Sequence, residues 1–392
     1  MRWSSSHRSG PCSTQRPRDW PATGDNHLSP RSKLVFGARM AYHIYSTPPM
    51  VLAMEGGKAN DGQGLGGISM FTLRFGWFAL ACLITNISAS SWAQGYPAKP
   101  IRYITSGSAG SSADTLGRLL AEGLMQNLGQ PVIVDARPGA GANLGAEIAS
   151  KASADGYTVY QPTISQALNA SLYRKLAYDL MRDFTFITQI ATDPVVVVVH
   201  PSLPVKSISG LIKLAKAKPG ALNYASAGTG TFTFLAGELF KGQAGINVTH
   251  VPYRGGGPAL TAVISGEVSV YFAPLGVSLA HVRQGRVRAL AVGTSARLSV
   301  APELPTVAEA GLPGYEFANW YGLAAPAKTP KETIAVIHGA AVAALNSPAL
   351  RQRISALGYV IVGSKPEEFA AYVKSEVEKL AKVVRELQLH AD

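Results

Sequence analysis

Residues 104–120 read ITSGSAGSSADTLGRLL, and this stretch joins three kinds of local pattern. Its first residues are apolar and β-branched, its centre consists of Gly, Ser and Ala, and its end repeats apolar side chains at helical spacing. A strand, a loop and a helix in this order form the unit of an α/β fold with a parallel sheet. A second stretch of the same kind, LNYASAGTGTFTFLAGELF, follows at residues 222–240.

The same alternation continues through most of the chain. Strand and helix patterns follow one another over residues 100–161, and DPVVVVVHP at residues 193–201 is typical of a strand buried on both faces. The alternation begins again after Pro204, which indicates a second α/β unit. Two helices near the end of the chain are predicted to start at capping residues Thr329 and Ser364.

An apolar run near the N-terminus has the features of an export signal. The run FGWFALACLITNI at residues 75–87 follows Arg74 and precedes small residues that end at Ala93. It is too short to cross a membrane, since a spanning helix needs about 20 apolar residues. We therefore predict a signal peptide at residues 70–93 and a periplasmic location for the mature protein.

The residues before this signal have no sustained periodicity and are rich in Pro, Ser, Gly and Arg. Because a signal peptide works at the extreme N-terminus, we expect translation to start at Met70, or residues 1–69 to form a disordered leader. An alternative is a lipoprotein anchored through Cys82, although that residue lies inside the apolar run. Cys12 and Cys82 are the two cysteines, so the rest of the chain has no thiol for a disulfide or a metal site.

The charge and the motifs exclude several classes of function. The formal net charge is +12 for the whole chain and +7 for residues 94–392, which is compatible with the attraction of anions. The Lys and Arg residues are scattered and do not cluster with aromatic residues, which argues against nucleic-acid binding. Neither Gly-rich loop ends in the Lys of a phosphate-binding P-loop, and no G-x-S-x-G turn is present. The histidines lack metal-ligand spacing. We predict no cofactor, no metal and no enzymatic activity.

The two Gly/Ser loops precede helices, and the first turn of a helix carries unpaired N–H groups and a partial positive charge. Small residues such as Gly107 and Gly110 let a ligand oxygen approach the backbone to about 3 Å. Two loops on facing lobes would suit a ligand with an anionic group at each end. The alternative for the first loop is an ordinary turn, with Ser111 as helix cap and Asp114 closing a capping box.

Several ordered stretches resemble one known family, the substrate-binding receptors of tripartite tricarboxylate transporters (TctC-like proteins, the Bug family). The resemblance extends over residues 96–384. The stretches that carry it are YPAKPIRYI (96–104), LGQPVIVDARPGAGANLGAE (128–147), ADGYTVY (154–160), LYRKLAYDLMRDF (172–184), LAGELFKGQAG (235–245), HVPYRGGGPALTAVISGEV (250–268), RALAVGTSAR (288–297) and ELPTVAEAGLPGYE (303–316).

This resemblance implies an α/β, two-lobe fold of the periplasmic-binding-protein type II, or Venus flytrap, class, with a ligand cleft between the lobes. Lobe 1 would comprise residues 94–197 and 319–392, and lobe 2 residues 198–318. The family captures small carboxylates largely through backbone N–H groups. The implied ligand-binding residues are Gly110, Ser111, Ser112, Ala113, Asp114, Ser226, Gly228, Thr229, Gly230 and Thr231.

The sequence departs from the family in the predicted cleft. The first loop, SGSAGSSAD, stands where the family has a Pro-Phe-Pro-Pro-Gly-Gly-like segment; Phe234 replaces a usual His, and Ala273 a usual Asp. With Phe232, these changes suggest a ligand with an apolar or aromatic body, contacted by both rings. The alternative is that both rings pack under the second helix as core residues.

We therefore predict a monomeric solute-binding protein that captures a small organic carboxylate, a di- or tricarboxylate, for the membrane subunits of a tripartite tricarboxylate-type transporter. One alternative is a ligand-sensing periplasmic receptor for a signalling partner. Another is an α/β enzyme that acts on carboxylates.

Overall fold

The computed structural model describes residues 95–391, so the predicted leader, the signal peptide and Cys82 lie outside the described range. The strands in this range are β1 (Ile101–Thr105), β2 (Val132–Ala136), β3 (Thr158–Gln161), β4 (Phe184–Val199), β5 (Asn223–Ser226), β6 (Thr249–Pro252), β7 (Val270–Pro274), β8 (Arg288–Val292), β9 (Ala318–Pro326) and β10 (Val360–Ile361).

The helices of the same range lie mostly between these strands. They are α1 (Ser112–Leu128), α2 (Asn143–Ser150), α3 (Ile164–Leu172), α4 (Ile208–Ala217), α5 (Phe232–Ala244), α6 (Gly256–Ile264), α7 (Leu275–Arg283), α8 (Lys331–Asn346), α9 (Pro348–Ala356) and α10 (Pro366–Glu386). No single helix among residues 95–391 is long and apolar enough to span a membrane. Helices α8 and α9 meet that measure only together, across a bend of 71°.

Most predicted elements are confirmed, but α3, α7, α9, β10 and the first half of β4 were not predicted from the sequence. Helix α3 shows the physical reason most clearly. It is buried on nearly every side, and its buried residues include the polar Ser165, Gln166 and Asn169, so polar residues in its sequence do not mark an exposed face. Helix α1 ends at Gly129, which adopts the left-handed conformation of a helix C-cap.

The strands form one sheet in the order β2-β1-β3-β9-β4-β7-β5-β6, and β8 and β10 also pair with β4. Strand β1 is parallel to β2 and β3, and β5 is parallel to β6 and β7, which confirms the predicted α/β units. Strand β4 belongs to both halves of the sheet. Its residues 184–194 pair with β9, whereas residues 195–199 pair with β7 and β8.

The fold therefore has two lobes that share β4. We call the half built on β2, β1, β3, β9 and the first part of β4 the first lobe, and the half built on the remainder of β4, β7, β5, β6 and β8 the second lobe. Helices cover both faces of β4, and every residue from Val195 to Val199 is fully buried. This double burial explains the uninterrupted apolar run of that strand.

The two predicted capping residues near the end of the chain have different roles. The Thr329 hydroxyl donates to the Pro326 carbonyl at 2.7 Å and does not cap α8. The Ser364 hydroxyl accepts from the Gln189 N–H at 2.9 Å, and the first turn of α10 is capped by Glu368 instead. Both caps were predicted wrongly, because these hydroxyls bind carbonyl and amide groups at β4 and β9.

The contact between Gly322 and the Phe369 ring allows the packing of the first lobe to be tested. A Cβ atom on Gly322, in β9, would overlap the Phe369 ring, which packs edge-to-face on Phe186 and Trp320. We expect Gly322→Ala to lower the free energy of unfolding by about 1–3 kcal/mol, because the enclosed ring has no room to move. Chemical denaturation measures the change.

Gly339→Ala is the matched control for this substitution. Gly339 is exposed in the middle of α8, and a Cβ atom added there would have no neighbour within 4 Å. We expect this substitution to raise the free energy of unfolding by roughly 0.5–1 kcal/mol, because Ala has a higher helix propensity than Gly. Equal stability of the two variants would contradict the proposed close packing at Gly322.

Candidate functional site

A cavity of about 480 Å³ lies between the two lobes. The loops that follow β1, β2 and β3 form its wall in the first lobe, and the loops that follow β5, β6 and β7 form its wall in the second. All six loops leave the carboxyl ends of strands, which is where α/β sheets place their ligands.

Six helices begin at the wall of this cavity. Their N-cap residues all line it, and they are Ser111 of α1, Ala142 of α2, Thr163 of α3, Thr231 of α5, Gly255 of α6 and Pro274 of α7. The first turn of each helix has N–H groups without intrahelical partners, and the helix dipole adds partial positive charge there. The cavity is therefore surrounded by groups that favour an anion.

The side chains of the wall agree with this polarity. Arg254 is the cationic side chain among the described lining residues, and these residues include no Asp or Glu. The Tyr271 hydroxyl faces the cavity from β7 and is buried without a hydrogen-bond partner in the described range. Among residues 95–391, no three His, Cys, Asp or Glu side chains come close enough to hold a metal ion.

The first Gly/Ser loop brings three of its five predicted site residues to the cavity, namely Ser111, Ser112 and Ala113. Ser111 caps α1 by accepting the Asp114 N–H at 3.3 Å. The Asp114 carboxylate accepts the Gly110 N–H at 3.0 Å and the Arg118 guanidinium at 2.9 Å. Gly110 and Asp114 therefore hold the shape of the loop and do not line the cavity.

The second loop brings Gly228, Thr231 and Phe232 to the cavity. The Thr231 hydroxyl donates to the Gly228 carbonyl at 2.6 Å and closes the turn. The predicted residues Thr229 and Gly230 point instead toward the first lobe. The Thr229 carbonyl accepts from a tyrosine hydroxyl there, and Gly230 packs against an asparagine side chain.

Ser226, another predicted site residue, lies behind the second loop. Its hydroxyl contacts His250 Nε2 at 2.6 Å and accepts the Gly228 N–H at 3.0 Å. Ser226 is fully buried and does not line the cavity. The pair positions the loop, and the sequence missed it because Ser226 and His250 meet only through the parallel pairing of β5 and β6.

The two phenylalanines differ in position. Phe232 is partly exposed and lines the cavity, whereas Phe234 is buried in the core and its ring lies 5.0 Å from the His250 ring. Successive positions on the first turn of α5 point in different directions, so one ring faces the ligand space and the other faces the sheet. The structure places only Phe232 where it can contact a ligand.

Residues 138–142 form a third wall segment that sequence reasoning did not select as a site. They follow β2 and precede α2, so the rule that selected the other two loops also applies here. Gly141 has a φ of 62°, and a Cβ at this position would lie 2.5 Å from the Thr229 carbonyl oxygen of the second lobe. This glycine lets the two lobes meet at the edge of the cavity.

A hydrogen bond between two residues of the cavity wall also joins the lobes. The Phe232 N–H, at the start of α5, donates to the Ser165 hydroxyl of α3 at 3.0 Å. A Cβ on Gly255 would lie 2.5 Å from the Ser108 hydroxyl oxygen. Contacts of this length on several sides show that the lobes are closed over the cavity.

His250 gives this arrangement a measurable pH dependence. Burial lowers the pKa of His250 to about 4, while the nearby Glu238 opposes that shift. Because the unfolded pKa is about 6.5, the neutral ring stabilises the fold above that pH, and this contribution is lost as the pH falls toward 4. Between pH 6.5 and 4.5, we expect the free energy of unfolding to fall by about 1–2 kcal/mol less in His250→Gln than in the wild type. This range is reduced for solvent screening, because His250 is partly exposed.

Thermal unfolding at several pH values measures this effect. His390→Gln is the control, because His390 is exposed near the end of the chain and should leave the wild-type profile unchanged. Superimposable profiles for the wild type and His250→Gln would show that the ring does not stay neutral in the fold.

Comparison with known proteins agrees with this geometry. Residues 116–389 match the family described as "Tripartite tricarboxylate transporter family receptor". The protein BugT of Bordetella pertussis is 34% identical over 303 residues, which cover 77% of this chain and 93% of BugT. The match to BugT thus extends over most of both proteins.

Two solved structures of similar sequence share the fold. The R. palustris protein Rpa4515, solved with adipate, is 33% identical with a TM-score of 0.73, and the alignment covers 75% of this chain and 99% of that protein. MatC (Rpa3494) from Rhodopseudomonas palustris, solved with malate, is 30% identical with a TM-score of 0.71, and the alignment covers 74% and 100%.

These similarities confirm the family and the two-lobe, periplasmic-binding-protein fold predicted from the sequence. This chain belongs to the receptor family of the tripartite tricarboxylate transporters.

Proposed function

We propose that this protein is a periplasmic solute-binding receptor that captures a small organic carboxylate and delivers it to the membrane subunits of a tripartite tricarboxylate-type transporter. The observation that carries this proposal is the convergence of six helix N-termini on a cavity whose described wall contains no carboxylate. The two related proteins solved with adipate and malate support the same ligand class.

The pairing of β4 supports a division of the chain into two lobes. We propose a discontinuous first lobe of residues 94–197 and 319–392, and a second lobe of residues 198–318. The pairing of β9 with residues 184–194 of β4 supports the second crossing near Asn319. The pairing of residues 195–199 with β7 and β8 favours a first crossing a few residues earlier, close to Val195.

The interactions available are sufficient for reversible capture. Backbone N–H groups in the first turns of α1, α5 and α6, with the Arg254 guanidinium, can each donate to a ligand carboxylate. A hydrogen bond to a charged group contributes about 1.5–3 kcal/mol. Several such hydrogen bonds offset the translational and rotational entropy that the ligand loses on binding. The net binding free energy is then about −8 kcal/mol, which corresponds to a Kd near 1 µM.

The ligand carries an apolar body between or beside its carboxylates. Phe232 lines the cavity together with Pro138, Pro274 and Val277, and these side chains present apolar surface between the polar first turns. Ala273, expected from the sequence to lie in the cleft, is fully buried in β7 and does not line the cavity, so it adds nothing to this apolar surface. The ammonium group of an amino acid would meet no carboxylate in the described wall.

Binding is proposed to proceed without chemistry on the ligand. Among the described residues, serine hydroxyls contact histidine rings in the Ser226–His250 pair at 2.6 Å and the Ser202–His200 pair at 2.7 Å, and neither pair lines the cavity. Glu238 accepts from the Tyr224 hydroxyl and from Lys241, so it does not orient the His250 ring as the acid of a triad would.

A thermal-shift panel of mono-, di- and tricarboxylates and amino acids tests the proposal. A ligand that binds the native state raises the melting temperature by mass action, and we expect dicarboxylates to give the largest shifts. Arg254→Gln should weaken the best carboxylate about tenfold or more through loss of a charged hydrogen bond. No shift with any carboxylate, for protein refolded to remove carried-over ligand, would overturn the proposed function.

The position of Phe232 predicts a change in preference between ligands. We expect Phe232→Ala to weaken adipate binding by about tenfold while affecting a shorter dicarboxylate less, because the apolar wall contacts the chain between the carboxylates. Titration calorimetry with adipate and malate measures both affinities.

Phe234→Leu is the matched control, since it alters a ring of the same helix that packs against His250 outside the cavity. This variant should retain the wild-type ratio of the two affinities. A Phe232→Ala variant with that same ratio would show that the ring does not select the ligand.

A further inference from the structure

Asp193 is fully buried where β4 passes from one lobe to the other. It lies opposite Asn319, which is also fully buried, in the pairing of β4 with β9. The Ser112 hydroxyl donates to Asp193 Oδ2, and the Tyr321 hydroxyl donates to the same oxygen at 3.3 Å. The Oδ1 atom has no hydrogen bond of normal geometry within the described range.

The groups that face this carboxyl come from both lobes. They are Ser112 of α1, Tyr321 of β9, Tyr359 before β10, Tyr271 of β7 and the N–H groups of Leu275 and Gly276 at the start of α7. This set contains no Lys, Arg or His side chain, so no cation neutralises the carboxylate. Burial in such surroundings favours the protonated form.

The pKa of Asp193 reflects this environment. Burial raises it to about 7, and the hydrogen bonds from the Ser112 and Tyr321 hydroxyls, together with the nearby N–H groups of Gly276 and Leu275, oppose the shift. The pKa of each facing tyrosine is itself raised by burial, so these hydroxyls remain protonated near neutral pH. Asp193 is therefore the group of this cluster whose charge changes near neutral pH.

The carboxyl is one hydroxyl away from the ligand space. Ser112 and Tyr321 both bond to Asp193, and both line the cavity between the lobes. When Asp193 is ionised, its charge lies close to a bound anion, and the Ser112 hydroxyl hydrogen points to the carboxylate. When Asp193 is protonated, its own O–H can donate to Ser112 Oγ, and the serine hydrogen is then free for the anion or for the Tyr359 hydroxyl oxygen, which lies 2.6 Å from Ser112 Oγ.

We propose that Asp193 is a proton-binding site linked to ligand capture, so that the protein takes up a proton at this carboxyl when an anion enters the cavity. The inference rests on the proposed function, because it requires an anionic ligand. Protonation removes a buried negative charge beside the anion and reverses the Ser112 hydrogen bond. The bound anion in turn raises the pKa of Asp193, as linkage requires.

The size of the effect follows from the linkage relation. If the bound anion raises the pKa of Asp193 by about one unit, the affinity at pH 6.5 exceeds that at pH 9 by about fivefold or more. At pH 7.5 the complex then holds about half a proton more than the free protein. Adipate and malate are both fully ionised through most of this range, so the dependence would come from the protein.

Isothermal titration calorimetry with adipate or malate, whichever gives the larger thermal shift, measures this linkage. Titrations at pH 7.5 in HEPES and in Tris, which differ in ionisation enthalpy, count the protons taken up. We expect about half a proton per site for the wild type and none for Asp193→Asn. Titrations from pH 6.5 to 9 give the change in Kd, which we expect to be flat for Asp193→Asn.

Glu122→Gln is the matched control, because it removes a carboxylate of the same helix as Ser112 that is exposed and paired with Arg353. It should keep the wild-type proton uptake. If Asp193→Asn fails to fold, Ser112→Ala removes the hydroxyl between the carboxyl and the cavity, and we expect a smaller proton uptake.

The outcomes separate this inference from the proposed function. Binding with no proton uptake and a constant Kd would overturn the role of Asp193 and leave carboxylate capture intact. Proton uptake that persists in Asp193→Asn would overturn the assignment to this residue, and uptake that is unchanged in Ser112→Ala would overturn the proposed reversal of the Ser112 hydrogen bond. Absence of binding by the whole carboxylate panel would overturn the proposed function and the inference together.

Discussion

The unpaired N–H groups at the start of six helices are the constraint on which the rest of this structure depends. The N–H groups of each first turn need hydrogen-bond partners, and the fold directs the first turns of six helices to the cavity between the lobes. The resulting partial positive charge comes from the backbone and requires few charged side chains. The loops after β1, β2 and β5 consist largely of small residues, because larger side chains would keep a ligand from reaching the N–H groups.

Buried polar side chains behind the two Gly/Ser loops hold the cavity-lining residues in place. Asp114 fixes the first loop through the Gly110 N–H, and Ser226 fixes the second through the Gly228 N–H. Both side chains are buried, so their hydrogen bonds are protected from competition with water. The site thus consists of backbone donors held in place by a layer of polar side chains behind them.

Strand β4 joins the two lobes that form the walls of the site. It is the longest strand in the described range, and its two parts pair with different lobes. Asp193 lies at the change between them, in contact with α1 and with the start of α7. A charge at this point therefore acts on the ligand space and on the junction of the lobes at once, because both lie within one hydroxyl of the carboxyl.

The sequence by itself determined the α/β units, the parallel pairing within each lobe and the two Gly/Ser loops, because these depend on local periodicity and on small residues at fixed places between a strand and a helix. It could not separate Ser111, Ser112 and Ala113, which line the cavity, from Asp114, which supports the loop, because neighbouring residues of a helix turn in different directions. The split roles of Phe232 and Phe234 have the same cause. Only the tertiary structure decided the Ser226–His250 pair and the surroundings of Asp193, because these contacts join residues far apart in the chain through strand pairing and lobe closure.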